Sequence, residues 1–160
     1  MTGLAIVVDD LSGPEIAAFL AEHVQDMRAI TPLESKHALD LDELRRPEVT
    51  FWSVLDAGTL VGCGAIFRLD DSHAEVKSMR TAADRRGNGV ASRLLEHVLA
   101  EAKRKGFSRL SLETGATEPF FPARRLYEKF GFEYCGPFGD YRPDPNSVFM
   151  TRALEAVVRW

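Results

Sequence analysis

The sequence predicts an α/β fold: a mixed, mostly antiparallel sheet of about six to seven strands, with flanking helices and one central β-α-β unit. Three observations point there. The chain has 160 residues, 45% hydrophobic and 28% charged, the balance of a single domain (residues 1–160) that buries a core without staples. Residues 49–81 hold three apolar, β-branched runs separated only by short turn sequences, which reads as an antiparallel meander. Residues 73–114 then read strand, Gly-rich turn, helix, strand, with no hairpin between, which implies a parallel crossover.

In chain order, residues 4–8 are a short apolar strand and Asp9 to Pro14 carry turn chemistry. Ile16, Phe19, Leu20, Val24 and Met27 recur at helical spacing, predicting an amphipathic helix over 14–29 that Pro32 ends. Residues 31–47 mix Pro, His37 and the pattern Leu39, Leu41, Leu44, and read as a loop with a short helix. The strands over 49–56 and 59–69 are joined by the tight turn Ala57-Gly58. Gly62 and Gly64 in the second strand mark a bulge or a close approach by another backbone. A strand over 73–81 follows, then a helix over 89–105 with Val90, Leu94, Leu95, Val98 and Ala102 on one face, stopped by Gly106. A strand over 107–114, a helix over 119–130 capped by Gly131, and strands over 132–135 and 147–154 complete the chain. The Pro- and Gly-rich loop 136–146 joins the last two strands.

The net charge of −4 argues against nucleic acid as a partner. The two cysteines, Cys63 and Cys135, form no CxxC pair, and the four histidines are scattered, so neither a disulfide framework nor a metal site is expected. No apolar run reaches the ~20 residues of a membrane helix, and the first residues lack the pattern of a secretion signal. A cytoplasmic protein with no membrane partner is the expectation.

The stretch Met79 to Ser92 organises the rest. It leaves a strand, passes Arg85-Arg86-Gly87-Asn88-Gly89 and opens a helix. Glycines let backbone approach a ligand closely, first-turn amides of a helix attract phosphate, and arginine adds a forked donor. A Walker loop would need Gly-Lys-Ser/Thr, and a dinucleotide fingerprint would need Gly at position 92, where Ser stands. Arg86-Gly87-Asn88-Gly89-Val90-Ala91 does fit Gln/Arg-x-x-Gly-x-Gly/Ala.

With that match the chain resembles the GNAT (Gcn5-related) N-acetyltransferases. A second stretch, Ala123-Arg124-Arg125-Leu126-Tyr127-Glu128-Lys129-Phe130-Gly131-Phe132, is similar to the family's Ala-x-x-Leu-Tyr-x-Lys-x-Gly-Phe signature, and the order of elements agrees. The resemblance implies a GNAT-like sheet whose β-α-β unit binds acetyl-CoA. The pyrophosphate would lie on Arg86, Gly87, Asn88, Gly89, Val90, Ala91 and Ser92, the Met79 amide on the thioester carbonyl, and Thr81 along the pantetheine. It also implies an amine acceptor, a small molecule or a peptide, and allows a homodimer. One departure stands out: Phe120 occupies a position where the family often has Asn.

Direct acyl transfer to a primary amine needs a donor to the leaving sulfur and a base for the amine. Tyr127 is the expected acid, since a phenol carries a proton at neutral pH. Glu75 is the first candidate base: strict alternation along the strand puts it on the same face as Met79. Glu113, near the end of the next strand, is second and His37 third; His73 reads as an ordinary surface residue. Neither cysteine has a sequence-local partner histidine, so no covalent intermediate is expected. The rival readings are a CoA-binding module without turnover and an enzyme taking a longer acyl-CoA.

Overall fold

The computed structural model describes residues 3–30 and 41–155, with the side chains of Arg28 and Ile30 excepted. The strands are β1 (Leu4–Val8), β2 (Val49–Asp56), β3 (Thr59–Arg68), β4 (His73–Thr81), β5 (Arg109–Gly115), β6 (Glu133–Cys135) and β7 (Ser147–Ala153). The helices are α1 (Pro14–Ile30), α2 (Leu41–Leu44), α3 (Val90–Arg104) and α4 (Phe121–Lys129). One seven-stranded sheet has the order β1-β2-β3-β4-β5-β7-β6, and every neighbouring pair is antiparallel except β4 with β5. The expected meander and the parallel crossover through α3 are both present. Of the predicted loop over 31–47, residues 31–40, including His37, lie outside the described residues, and the remainder holds α2.

Local chemistry explains the joints. Ala57 (φ 49°) and Gly58 (φ 86°) both adopt left-handed conformations, the geometry of a two-residue turn whose twist matches the β2–β3 hairpin. α3 ends on Gly106 (φ 92°), whose N–H donates to the Lys103 carbonyl while Phe107 N–H donates to the Ala102 carbonyl, a Schellman closure. α4 ends in the same way on Gly131: its N–H donates to Glu128, and Phe132 N–H donates to Tyr127. The Phe132 ring meets the Tyr127 ring edge-on at 5.7 Å, the apolar contact that accompanies this cap. Tyr127 is thereby held at the last turn of α4, its backbone and its ring fixed by the same neighbour.

Two cores flank the sheet. α3 and α4 cover one face, where Val90, Leu94, Leu95 and Val98 bury against Trp52, Val54, Ile66, Val76, Leu110 and Leu112. α1 and α2 cover the other, where Ile16, Phe19, Leu20 and Leu44 bury against Phe51, Cys63 and Ala65. Arg80 ties α1 to β4, pairing with Asp26 at 2.8 Å and lying over the Phe19 ring at 5.2 Å.

Candidate active site

The sheet has a defect where the crossover meets the meander. β4 pairs with β5 only over His73–Glu75 with Arg109–Ser111, although β4 runs to Thr81 and β5 to Gly115. β5 stays paired with β7 along its whole length, so it is β4 that parts from it. A cleft of about 150 Å³ opens between the strands, and Glu75, Met79, Glu113 and Tyr127 all line it. Those four predicted residues are brought together.

A bulge shapes the β4 wall. Ala65 pairs with Lys77 and Cys63 with Arg80, so Ser78 and Met79 together oppose Gly64, and Ser78 takes φ 58°. The Ser78 carbonyl accepts the Cys63 thiol at 3.3 Å; burial pushes that thiol up to about 12, which leaves it inert. A side chain at Gly64 would meet Met79 Sδ at 2.5 Å and Leu94 at 3.0 Å, and one at Gly62 would meet Val90 at 2.9 Å. The two glycines therefore admit the bulge and the seating of α3, and side chains make the close approach as much as backbone does. The extra residue also overturns the alternation argument. Met79 packs with the α3 core, whereas Glu75 turns to the loop before β7, where it meets Tyr141. They line one cleft from opposite faces of β4.

At the mouth, Gly87 (φ 83°) and Gly89 (φ 82°) take the left-handed turn that the Gly-x-Gly spacing requires, and among the described residues no non-neighbouring atom lies within 4 Å of where their side chains would start. Gly89 caps α3 with no side-chain hydrogen bond, and the first intrahelical acceptor is used by Arg93. The first-turn amides of Val90, Ala91 and Ser92 are thus left for a ligand. Arg86 is exposed beside them, but Arg85 is not available: it pairs with Asp56. Thr81 pairs with Gly62 on the β3 side, and its other edge lies beyond the end of the β4–β5 pairing. An open glycine turn, unused amides and an unpaired strand edge in line fit a long phosphate-bearing thioester.

Tyr127 is 7% exposed, and among the described residues its hydroxyl has no hydrogen-bond partner. Burial, then the charge of Glu113, raises its phenol above the ordinary value, so the proton stays on oxygen. Phe120 lines the cleft beside it and covers Gly115 so closely that a side chain there would fall 2.0 Å from the ring. Arg124 fixes this corner, donating to the carbonyls of Gly115 (2.7 Å) and Thr117 (2.9 Å).

Glu75 is 5% exposed and does not stand alone. Tyr141 donates a short hydrogen bond to its Oε2, and Lys77 Nζ lies 3.2 Å from the same oxygen and 3.0 Å from the Tyr141 hydroxyl. Tyr141 lies in the 136–146 loop, which the sequence marks only as a connection, and Lys77 was passed over; the signal available for Lys77 was its position two residues from Glu75, on the same strand face. His23 was also missed. It lines the cleft from α1 with Leu20, Val24 and Met27, the helical spacing the sequence displays. Burial, then the charge of Arg80, lowers it to about 4 and keeps the imidazole neutral. His73 does not line the cleft: its Nε2 lies 2.7 Å from Ser111 Oγ. Among the described residues no cluster suits a metal ion, and no helix is long and apolar enough to cross a membrane.

Comparison with known proteins identifies the family and the fold. The profile of the acetyltransferase (GNAT) family matches residues 16–132. The chain is 52% identical over 149 residues to YsnE of Bacillus subtilis, an uncharacterised N-acetyltransferase, covering 93% of this chain and 99% of that protein. It is 48% identical to YedL of Escherichia coli, likewise an uncharacterised N-acetyltransferase, covering 93% and 94%. Among solved structures, an acetyltransferase from Streptococcus agalactiae superposes with a TM-score of 0.75 at 24% identity, covering 96% of this chain and all (100%) of that one. An aminoglycoside 6'-N-acetyltransferase complexed with coenzyme A shares the fold at a TM-score of 0.69 and 17% identity, covering 97% and 99%.

Proposed function

The chain belongs to the GNAT acetyltransferase family and is an acyltransferase, and from that premise we propose that it transfers an acetyl group from acetyl-CoA directly to a primary amine within a ternary complex. The observation that carries the reading is the parting of β4 from β5, which sets Tyr127, Glu75 and Glu113 around one cleft that leads to the glycine turn of α3. Acetyl-CoA supplies an activated acyl carbon. Arg86 and the backbone of Gly87 to Ser92 hold the pyrophosphate, and the free edge of β4 at Thr81 holds the pantetheine. The Met79 amide, at the bulge, meets the carbonyl oxygen; a preorganised backbone donor of this kind contributes roughly 3 kcal/mol as charge develops.

Tyr127 faces the sulfur. Its raised phenol makes complete proton transfer to a thiolate unfavourable, because a thiol ordinarily loses its proton near ~8.5. Its contribution is a hydrogen bond to the sulfur as the carbon–sulfur bond breaks. Glu75 is the base on which the proton released by the amine is finally held, and Glu113 adds its charge near both tyrosines.

The test is thiol release from acetyl-CoA with a panel of amino acids, polyamines, aminoglycosides and peptides, with products identified by mass spectrometry. Mass gain of one acetyl group on an amine is the expected result. Tight CoA binding with no product from any amine would leave a binding module instead. Phe120 in the cleft wall favours one variation, a longer acyl group, and competition among acetyl-, propionyl- and succinyl-CoA decides it. A homodimer is part of the reading, and light scattering in solution checks it.

A further inference from the structure

A second hollow, about 610 Å³, lies between the end of β3 and the loop before β7, lined by Phe67, Leu69 and residues 139–144. Among the described residues, only Glu75, Lys77 and Tyr141 line both this hollow and the cleft. They form the wall between the two spaces. Within that wall Glu75 is the recessed member, and its Oε2 is already engaged by the Tyr141 hydroxyl and Lys77. Tyr141 is held firmly, its ring 5.1 Å from Phe138 and 5.4 Å from Phe149. Tyr141 is the more exposed of the two residues that share this hydrogen bond.

We propose that Tyr141 is a catalytic residue of the acetyl transfer: it takes the proton from the acceptor amine and passes its own hydroxyl proton to Glu75, while Lys77 positions both. This rests on the acetyltransferase reading above. In the step, the nitrogen of an uncharged amine bonds to the acetyl carbon, and the carbon–sulfur bond breaks with its electron pair leaving on sulfur. The surplus proton on nitrogen moves to the Tyr141 oxygen as the Tyr141 hydroxyl proton moves to Glu75 Oε2. Glu75 later releases that proton to water, and the thiolate takes one from water, so charge and protons balance over the cycle. The groups facing Tyr141 are consistent with a proton that moves only when another replaces it. Glu75 and Lys77 from β4 and Glu113 from β5 surround the oxygen, and burial with the two carboxylates raises the phenol far above its ordinary value. A free tyrosinate is thereby disfavoured.

The experiment compares wild type with Tyr141→Phe and Lys77→Met. Each is assayed for kcat and kcat/KM against pH with an amine from the screen and with hydroxylamine as a small probe whose nitrogen gives up its proton more readily. The relay predicts that Y141F loses about 100-fold in kcat with the amine, loses less with hydroxylamine and keeps its acetyl-CoA affinity. The acid limb of kcat/KM should change in Y141F, because the proton no longer passes through a tyrosine. K77M, which removes the amine that contacts both groups, should change it as well. A Y141F enzyme as fast as wild type or faster, or one whose kcat/KM pH profile is unchanged, overturns the relay. A wild-type protein that binds acetyl-CoA yet acetylates neither the panel nor hydroxylamine overturns the acetyltransferase reading and the relay with it. Intact turnover in Y141F overturns only the relay.

Discussion

Replacing Tyr127 by Phe removes one oxygen from a buried ring and nothing else. The structure makes the consequence specific. The ring keeps its edge contact with Phe132 at 5.7 Å, and the α4 cap depends on the Tyr127 carbonyl rather than on its hydroxyl. Among the described residues that hydroxyl has no hydrogen-bond partner, so no buried acceptor is orphaned by its loss. Stability should therefore change by less than about 0.5 kcal/mol, the range of a substitution that breaks no contact. The transition state loses a hydrogen bond to a charged sulfur, a bond of about 1.5–3 kcal/mol. Each ~1.4 kcal/mol is tenfold, so kcat falls by roughly 10- to 150-fold. The assays are steady-state kinetics with a fixed saturating amine, calorimetric binding of CoA and thermal melting. A Y127F enzyme with unchanged kcat removes Tyr127 from the chemistry. One that loses kcat together with several degrees of melting temperature would show that the phenol acts through the fold.

Gly89→Val places a β-branched residue at φ 82°, which costs roughly 1–3 kcal/mol of backbone strain and tilts the first-turn amides; CoA affinity should fall at least about tenfold while circular dichroism stays native, and normal affinity by calorimetry would disprove the pyrophosphate assignment. Gly115→Ala drives its new methyl to 2.0 Å from the Phe120 ring and should cost about 1–3 kcal/mol by denaturant unfolding; adding Phe120→Ala should return much of that loss, and strict additivity in the double-mutant cycle would refute the contact. His23 is held neutral, its folded value lowered from 6.5 to about 4, so the unfolded chain binds the extra proton between those limits. Its contribution is whole above pH 6.5 and is lost as pH falls toward 4, bounded at roughly 3 kcal/mol; His23→Gln should flatten the unfolding free energy over that window, and an unchanged slope would contradict it.

Periodicity made most of the fold readable, because each element satisfies its local rule. The β2–β3 hairpin has a short turn with Gly58 at one left-handed position, α3 has an apolar stripe and a glycine stop, and the Gly-x-Gly spacing sits where strand becomes helix. The candidate site was readable in its motif parts, Arg86 to Ser92 and Tyr127, for the same reason: they lie on regular elements at fixed spacing. Glu75 was found by an argument whose second half fails. Alternation holds from His73 to Lys77, and a bulge is not written in any pair of residues; it depends on Gly64, across the hairpin, leaving room for Met79 Sδ. Lys77 and Tyr141 escaped because their partnership spans 64 positions of sequence and arises only when the loop before β7 folds back on β4. His23 showed its helical spacing plainly, but spacing alone does not say that the apolar face of α1 ends over a cleft.

The departures from regularity are where the chemistry gathers, and they share one cause. The parallel pairing of β4 with β5 ends at Glu75, β4 gains a residue at Ser78 relative to β3, and β5 keeps seven pairings with β7. The mismatch opens the cleft, and the opening frees the outer edge of β4 for hydrogen bonds from a ligand. The same inserted residue turns Met79 toward α3, which anchors the strand through Gly64 and Leu94 and leaves the Glu75 side to the Tyr141 loop. On the proposed reading the two substrates meet this strand from opposite faces, the thioester along its edge toward α3 and the amine from the Glu75–Tyr141 side. The bulge supplies separation and access together, which is why substitutions at Gly64, remote from any proton transfer, should reduce turnover as surely as those at Tyr127.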